Sequence, residues 1–561
     1  MKKVFLVILI LISLAFSLLG QPKSLLECKS FPEIYIDVTV TQSQLQLLAN
    51  SFSIDKVNHS SNGLFNARIC LSNSDITLFE DLDIPYTICR QNQVWVKMAN
   101  TYQELVTSWN SYPTYSAYLE IMEKFATDYP NLCKIDTILS QTPGGHAILC
   151  AHISSDINHV GKPSFFYSST IHGDEVLGYY LLIRLIDKLL RSYSNDEQIK
   201  MLIDNTDIWI CPLHNPDGTY RTSNNQINES PISTRTNANN IDLNRSFPQV
   251  GGIVSKSVYE PEVLAMINFF DSHNFTIAAN LHGGAEVFNY PWDSWMTWQK
   301  KHADHEWWNY VGRCYADTCH KFNVHYMSEL DNGVTPGGDW YIVQGSMQDY
   351  HNYFSGSRHV TIEVSTDKVV SSFYLPYYWT CSNRSFINFI AESGNGLHGV
   401  VTDSITQQPL KATIFIENHD VDHSEVETSL PHGDYHRPLK AGHYFVTYSS
   451  PGYHSKTIEI DILDGCKQTQ DIRLVKSTGL QDFEKKFKIY PNPVKDNLLI
   501  SLEEFTEKQV TLSIYDSRGK LLITENIESF SEVNVSNFSK GVYFITIGSD
   551  SEIFTSKFVK L

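Results

Sequence analysis

Nowhere in the 561 residues do two cysteines stand three apart, so the Cys-x-x-Cys half of a thiolate zinc knuckle is missing although the chain carries ten cysteines. Basic residues are few beside acidic ones: 43 Lys and Arg against 62 Asp and Glu give a formal net charge of −19. A surface of that sign repels phosphate backbones, which argues against nucleic acid as a partner and tolerates a basic substrate. After Leu19 no apolar run approaches the ~20 residues that a membrane-spanning helix needs. Disorder is not the expectation, because 42% of the residues are hydrophobic and 12% aromatic, enough to build cores in about three or four domains.

The one long apolar stretch opens the chain. In "MKKVFLVILILISLAFSLLGQ" two lysines precede an uncharged run to Leu19 and the small residue Gly20, the pattern of a Sec-type signal peptide over residues 1–20. The run is slightly short for a retained anchor, and no Cys stands at the cleavage point to take a lipid. Export makes the cysteines disulfide candidates, with Cys314 and Cys319 in "CYADTC" close enough for a local pair.

Residues 34–98 read as strand, helix, strand, helix, strand, with Thr41 and Gln44 spaced as a capping box. This small α+β domain, bounded at 21–105, has no clustered His, Cys or paired carboxylates and reads as a pro-segment or interaction module. Residues 112–392 alternate helical patterns such as "VLGYYLLIRLIDKLLRSY" with short buried strands, "PSFFYSSTI", "TDIWICPL", "TIAANL" and "HVTIEV". That alternation implies an α/β domain with a mixed, largely parallel sheet flanked by helices. Residues 397–476 are all strand-like, 477–487 form a polar linker, and 488–561 are again all strand-like, so two small β-sandwiches are expected after the α/β domain.

In the α/β segment polar residues gather where strands end. His172 and Glu175 follow "FFYSSTI", His282 follows "TIAAN", and Glu363 lies in "HVTIEVS". Ligands of open α/β sheets bind beyond the carboxyl ends of the strands, so these distant residues are expected to converge. Two imidazoles and one carboxylate leave a fourth position open, the arrangement of a catalytic rather than a structural zinc. "HADHE" at His302–Glu306 and "HGDYH" at His432–His436 carry similar letters without a third converging ligand; the first reads as a solvated helix face, the second as part of a sandwich.

The ordered set "HGDE", "NPDGTYRT", "RTNANNIDLNRSFP", "NLHGGAEVFNYPWD", "DWYIVQGSMQDY" and "TIEVS" resembles the zinc metallocarboxypeptidases, most of all the regulatory subfamily of carboxypeptidases N, E and D. The resemblance implies His172, Glu175 and His282 as ligands of one Zn2+, Glu363 as general base and Arg235 as the oxyanion partner. It implies Asp242 as the carboxylate that orients His172. Asn244 and Arg245 would clamp the free C-terminal carboxylate and Tyr341 would close over it. Asp293, eleven residues after His282, and Gln348, just before Asp349, would form the floor of the end-residue pocket. An acid there implies a preference for C-terminal Lys or Arg. Asp174 departs from the Asn or Arg that relatives often carry. Residues 397–476 resemble the transthyretin-like domain of the same subfamily, and residues 488–561 resemble a type IX secretion C-terminal sorting domain. Together these imply a secreted or cell-surface enzyme, exported through the periplasm, that meets the secretion machinery through its tail and acts on peptide and protein C-termini. A murein-peptide or other amide hydrolase on the same fold, and an inactive surface adhesin, are the alternatives.

Overall fold

The structure is a computed structural model that describes residues 24–561 apart from 29–30, 61, 90–93, 157–160, 230, 252–257, 478–486, 503–509, 528–529 and 549–552. The expected signal peptide and most of the expected linker lie outside the described residues. Among the described residues no helix is long and apolar enough to cross a membrane.

The N-terminal segment is an antiparallel four-stranded sheet of β1 (Glu33–Val40), β2 (Ser53–His59), β3 (Phe65–Ser72) and β4 (Tyr86–Ile88), in the order β2-β3-β1-β4. Helix α1 (Gln42–Ser51) starts at the expected capping box: the Thr41 side chain accepts from the Gln44 amide and the Gln44 side chain accepts from the Thr41 amide. A second helix, α2 (Asp75–Glu80), covers the same face. Ile34, Ile36, Val38 and Val40 of β1 enter this unit's own apolar core. The alternate positions Glu33 and Tyr35 are nevertheless buried, whereas Asp37 and Thr39 are exposed. One end of β1 therefore has its polar face covered. Strand β2 was not expected from the sequence, because a register shift between Ile54 and Lys56 breaks its alternation.

The α/β segment is built on an eight-stranded sheet of β5 (Cys133–Leu139), β6 (Ile148–Ile153), β7 (Ser164–Ser169), β8 (Asp207–Cys211), β9 (Phe275–His282), β10 (Ala285–Tyr290), β11 (Val334–Pro336) and β12 (Arg358–Ser365). Their order is β11-β10-β12-β9-β7-β8-β6-β5. The central run β12-β9-β7-β8 is parallel, while β10 against β12, β6 against β8 and β5 against β6 are antiparallel. The sheet is mixed, with a parallel centre. Successive side chains point to opposite faces: Phe165 and Tyr167 join one core while Phe166 joins the other, and Ile277, Ala279 and Leu281 part from Ala278 in the same way. One face is covered by α3 (Tyr115–Asp128), α4 (Leu177–Ser192), α6 (His305–His320) and α8 (Leu375–Ala391), the other by α5 (Pro261–Ser272) and α7 (Met347–Phe354). Covered on both sides, β9 is buried at all eight positions.

Two expectations need correction. Cys314 and Cys319 are not joined; all ten cysteines are free thiols. Both lie on α6, where five residues turn the helix by about 500°, so the side chains leave on different faces; Cys314 is exposed and Cys319 is buried beside Ser385. "HADHE" is not a solvated helix face either. His302 and Asp304 precede α6 and are buried, and Asp304 accepts from Arg358 and from both Arg437 and His419 of the following β segment.

That segment contains two small sheets. In one, the strand Gly396–Asp403 pairs with Asp434–Arg437 and Lys467–Thr469. The other runs Val426–Glu427, Thr413–Ile416, Gly442–Ser449, Lys456–Ile462. The C-terminal segment likewise has a three-stranded and a four-stranded sheet around a core that includes Leu498, Ile500, Leu512 and Ile545. By compactness the chain divides in two: one unit holds the chain up to Thr402 with Pro409–Tyr448 and Thr457–Ile472, the other holds Asp403–Gln408, Ser449–Lys456 and Arg473–Leu561.

Candidate active site and metal centre

Three parallel strands end at one place. His172 stands three residues beyond β7, His282 is the last residue of β9, and Glu363 of β12 is its in-register partner. The turn into His172 begins with Thr170 at φ 60°, a left-handed conformation that costs a β-branched residue about 1–3 kcal/mol. Its surroundings hold it there: the His214 amide donates to Thr170 Oγ1 and the Asn215 amide to the Thr170 carbonyl, both at 3.1 Å. Gly173 follows, and a Cβ on it would lie 2.3 Å from the Gly218 carbonyl carbon. The "HGDE" loop therefore lies flat on the "NPDG" turn, which only glycine permits.

The Nδ1 atoms of His172 and His282 lie 3.1 Å apart, 2.9 Å and 2.8 Å from the two Glu175 oxygens. All three side chains are buried, and among the described residues they form the one cluster of ligand atoms close enough to share an ion. A carboxylate flanked by two imidazole nitrogens, with no fourth protein ligand, fits a zinc ion with an open position. The far nitrogen of His172, Nε2, faces Asp242 Oδ1 at 3.2 Å. That contact fixes the ring and leaves Nδ1 as the free lone pair. Burial opposes charge on Asp242, but Arg235 and His172 outweigh it and hold the carboxyl well below its usual range. Arg235 ties the cluster together, donating from Nε to Asp242 Oδ2 at 3.0 Å and from Nη1 to Glu175 Oε1 at 3.2 Å. Glu363 keeps part of its surface open while its Oε2 is buried without a partner. Burial and the charge of Glu175 push its carboxyl well above the ordinary value.

Beyond Arg235 the same cavity is lined by Asn244, Arg245, Tyr341 and Asp293. Asp242 accepts from the Asn244 amide at 2.9 Å, and Asn244 Oδ1 accepts from the Met347 amide at 2.9 Å. The segment that carries Asp242, Asn244 and Arg245 is thereby fastened to the start of α7. Asp293 is 5% exposed and its Oδ1 accepts from Gln348 Nε2 at 2.9 Å and Asn289 Nδ2 at 3.3 Å. Asp349 fixes the backbone beneath it, accepting from the Asp293 and Ser294 amides at 2.8 Å each. Burial lifts the Asp293 carboxyl to about 6. Burial and the charge of Asp293 lift Asp349 to about 8. A Cβ on Gly337 would stand 1.9 Å from Asp293 Oδ1, so a glycine is required opposite the acid. Every residue that the motif order singled out thus falls in or directly behind one cavity.

Residues that sequence reasoning missed are there too. Lys368, five positions after Glu363, reaches Asp174 Oδ2 at 3.1 Å and Glu175 Oε1 at 3.7 Å. Asp55, from the N-terminal segment read as carrying no site, lines the cavity. The polar positions Glu33 and Tyr35, alternating with the apolar ones of β1, were the available signal that this segment has a second covered face; Asp55, on the bulged β2, carried none.

A metal-ligand triad at the ends of parallel strands, with an acid beside it and arginines above, defines a metallohydrolase site. The zinc carboxypeptidase family matches residues 118–384, and the secretion system C-terminal sorting domain matches residues 488–561. Carboxypeptidase SOL1 of Arabidopsis thaliana is 31% identical over 369 residues, 64% of this chain and 72% of that protein. Carboxypeptidase D of Homo sapiens is 31% identical over 418 residues, 72% of this chain, which spans only 30% of that much longer protein. A solved carboxypeptidase A from Helicoverpa armigera shares 16% identity over 64% of this chain and 97% of its own, with a TM-score of 0.49. The chain belongs to the zinc carboxypeptidase family.

Proposed function

We propose that this chain is an exported zinc carboxypeptidase that removes Lys or Arg from the C-termini of peptides and proteins. The observation that carries the reading is that the metal-ligand triad, Glu363, Arg245 and the buried acid Asp293 all face one cavity. Zinc, when bound, supplies Lewis-acid polarisation of the scissile carbonyl and lowers the pKa of water. His172, Glu175 and His282 would hold it, with Asp242 setting the His172 tautomer. Glu363 takes the proton of the attacking water on its unpartnered oxygen and delivers it to the leaving amine. Arg235 offers Nη1 to the developing oxyanion. Asn244 and Arg245 hold the free carboxylate, where a planar guanidinium can pair both oxygens, and Tyr341 closes over the bound end.

The pocket floor supports the basic preference. Asp293 is buried and accepts from neutral groups, the side-chain amides of Gln348 and Asn289, so an incoming ammonium or guanidinium supplies a directly paired opposite charge. An apolar end would leave that carboxylate desolvated and unpaired. The sorting-domain match supports export, and the tail reads as the part that meets the secretion machinery; residues 397–476 read as a transthyretin-like companion of the catalytic segment. Digestion of a peptide ladder with and without a chelator tests the reading: chelation should abolish loss of C-terminal residues and zinc should restore it. Hydrolysis of muropeptides but not of ordinary peptides would favour the other amide-hydrolase reading.

A further inference from the structure

We propose that the groove between the start of β9, the end of α7 and the first β segment is a second binding site, for a neutral oligosaccharide. The groove encloses about 520 Å³, inside the ~300–1,000 Å³ range of sites for small molecules. Asn274 and Phe275 at the start of β9 contribute one wall, and Tyr353, Phe354 and Ser355 at the end of α7 a second. The third comes from the β segment, with Thr413, Glu425, Glu427, Ser429 and Tyr435. The catalytic cavity shares none of these residues. Strand β9 begins at the groove and ends at His282, so seven residue steps at ~3.3 Å each put the two sites about 23 Å apart along the strand. A molecule in the groove therefore does not compete with a peptide end at the His172, Glu175 and His282 cluster.

The lining selects the class of molecule. No lysine or arginine belongs to it, and its basic groups are two histidines, His423 and His436. His436 is already engaged, Nε2 with Asp434 at 3.1 Å and Nδ1 with His398 at 2.7 Å. A phosphate or carboxylate would therefore enter without a fixed opposite charge. A wholly apolar molecule would instead leave the Glu425 carboxylate unpaired, because His423 Nδ1 stands 3.9 Å from it, beyond hydrogen-bond reach. A cationic peptide is the remaining rival. Glu427 is already paired with Lys411 at 3.0 Å, and Val426–Glu427, at the edge of its sheet, is only two residues long, too short to add a peptide strand. The aromatic groups favour a sugar. Phe354 is 52% exposed but set against Tyr350 and Tyr353, with ring centroids 5.0 and 4.8 Å away. Tyr435 is buried, its hydroxyl held by the Tyr448 hydroxyl at 2.9 Å and the Gln470 carbonyl at 2.7 Å. A fixed, half-open ring offers a negative face to the C–H groups of a sugar. Asn274, Ser429, Thr413 and Glu425 supply amide, hydroxyl and carboxylate groups for its hydroxyls.

The test titrates the zinc-loaded full chain by calorimetry with four neutral oligosaccharides, the hexaoses of the malto, cello, manno and chito series. At least one should bind with Kd below ~1 mM, and Phe354→Ala and Glu425→Gln should each weaken it by at least ~10-fold, the size expected for one lost aromatic or charge-assisted contact. Both variants should cleave a short bare peptide ending in Arg as the wild type does, because neither residue lines the catalytic cavity. Should a variant fold poorly, hydrogen exchange of the unmodified chain gives an independent readout: the bound hexaose should slow exchange at the 425–429 amides. Attaching the same sugar to the peptide distinguishes the source. A KM lower than that of the bare peptide places the sugar on the substrate, and an equal KM places it on a separate polysaccharide. Absence of binding by all four hexaoses at ~10 mM, binding that neither variant weakens, or exchange at 425–429 that slows with a Lys-rich peptide and not with a hexaose, overturns the proposal.

Discussion

Glu363 stands in register with His282 on neighbouring parallel strands, so the proposed base is placed against a proposed metal ligand by the same hydrogen bonds that build the sheet. Replacing it with Gln keeps its shape and should retain zinc while lowering kcat by at least ~100-fold, the usual scale for a general base; a turnover assay beside elemental analysis separates the two effects. Asp242 contacts the ring of His172 at 3.2 Å and, in the proposed site, acts at one remove through it. Asp242→Asn should weaken zinc affinity by about 10–100-fold, read by competition with a chromogenic chelator. Asp293 gives a pH signature. Its carboxyl is raised by burial to about 6 and must be ionised to attract a cationic end. The preference for Arg over Leu in kcat/KM should therefore be full well above pH 6 and shrink as pH falls through that value. A ratio unchanged between pH 8 and pH 5 would remove Asp293 from recognition.

At the scale of elements, the strands that deliver the site were legible because their chemistry sits at their ends. "PSFFYSSTI", "TIAANL" and "HVTIEV" are short runs in which apolar residues fall on both faces, as a doubly covered parallel sheet demands, and counting along the chain from His282 reached Asp293. What was not legible is what depends on contacts between segments. Strand β2 has only two apolar residues and a bulge, so no period announced it, and Asp55 looked like surface polarity. Nor does spacing reveal that a sixteen-residue helix separates the faces of Cys314 and Cys319. Close approach is equally silent in a sequence: Gly337 is one letter, yet its missing side chain leaves room for Asp293. Gly337→Ala should force Asp293 aside and reduce the Arg preference by at least ~10-fold with zinc retained, as kinetics on paired Arg and Leu peptides would show.

Across the whole molecule, charge is spent unevenly. The chain carries a net −19, and among the buried charges some are tightly paired. Asp304, ahead of α6, accepts from Arg358 at the start of the strand that carries Glu363 and from Arg437 in the β segment that follows. Arg437 is fully buried and also contacts Asp420. This cluster fastens the first β segment to the catalytic sheet. Removing one partner of a buried pair leaves its mate uncompensated, so Arg437→Met should destabilise the fold by about 3–5 kcal/mol, measurable as a shift of the denaturant midpoint. The C-terminal segment carries the sorting-domain match, and mass spectrometry of secreted protein should find residues 488–561 removed. The measurement that tests the central claim most directly is the ratio of kcat/KM for two zinc-dependent reactions, on peptides identical except for a final Arg or Leu, in the wild type and in Asp293→Ala. Because both reactions use the same metal, base and clamp, and meet the same N-terminal segment, the ratio isolates the pocket. The expected result is at least ~100-fold in favour of Arg for the wild type, since an unpaired buried charge costs about 3–5 kcal/mol, collapsing to below ~10-fold in the variant at equal zinc content. Equal cleavage of Arg and Leu ends by the wild type would contradict the account.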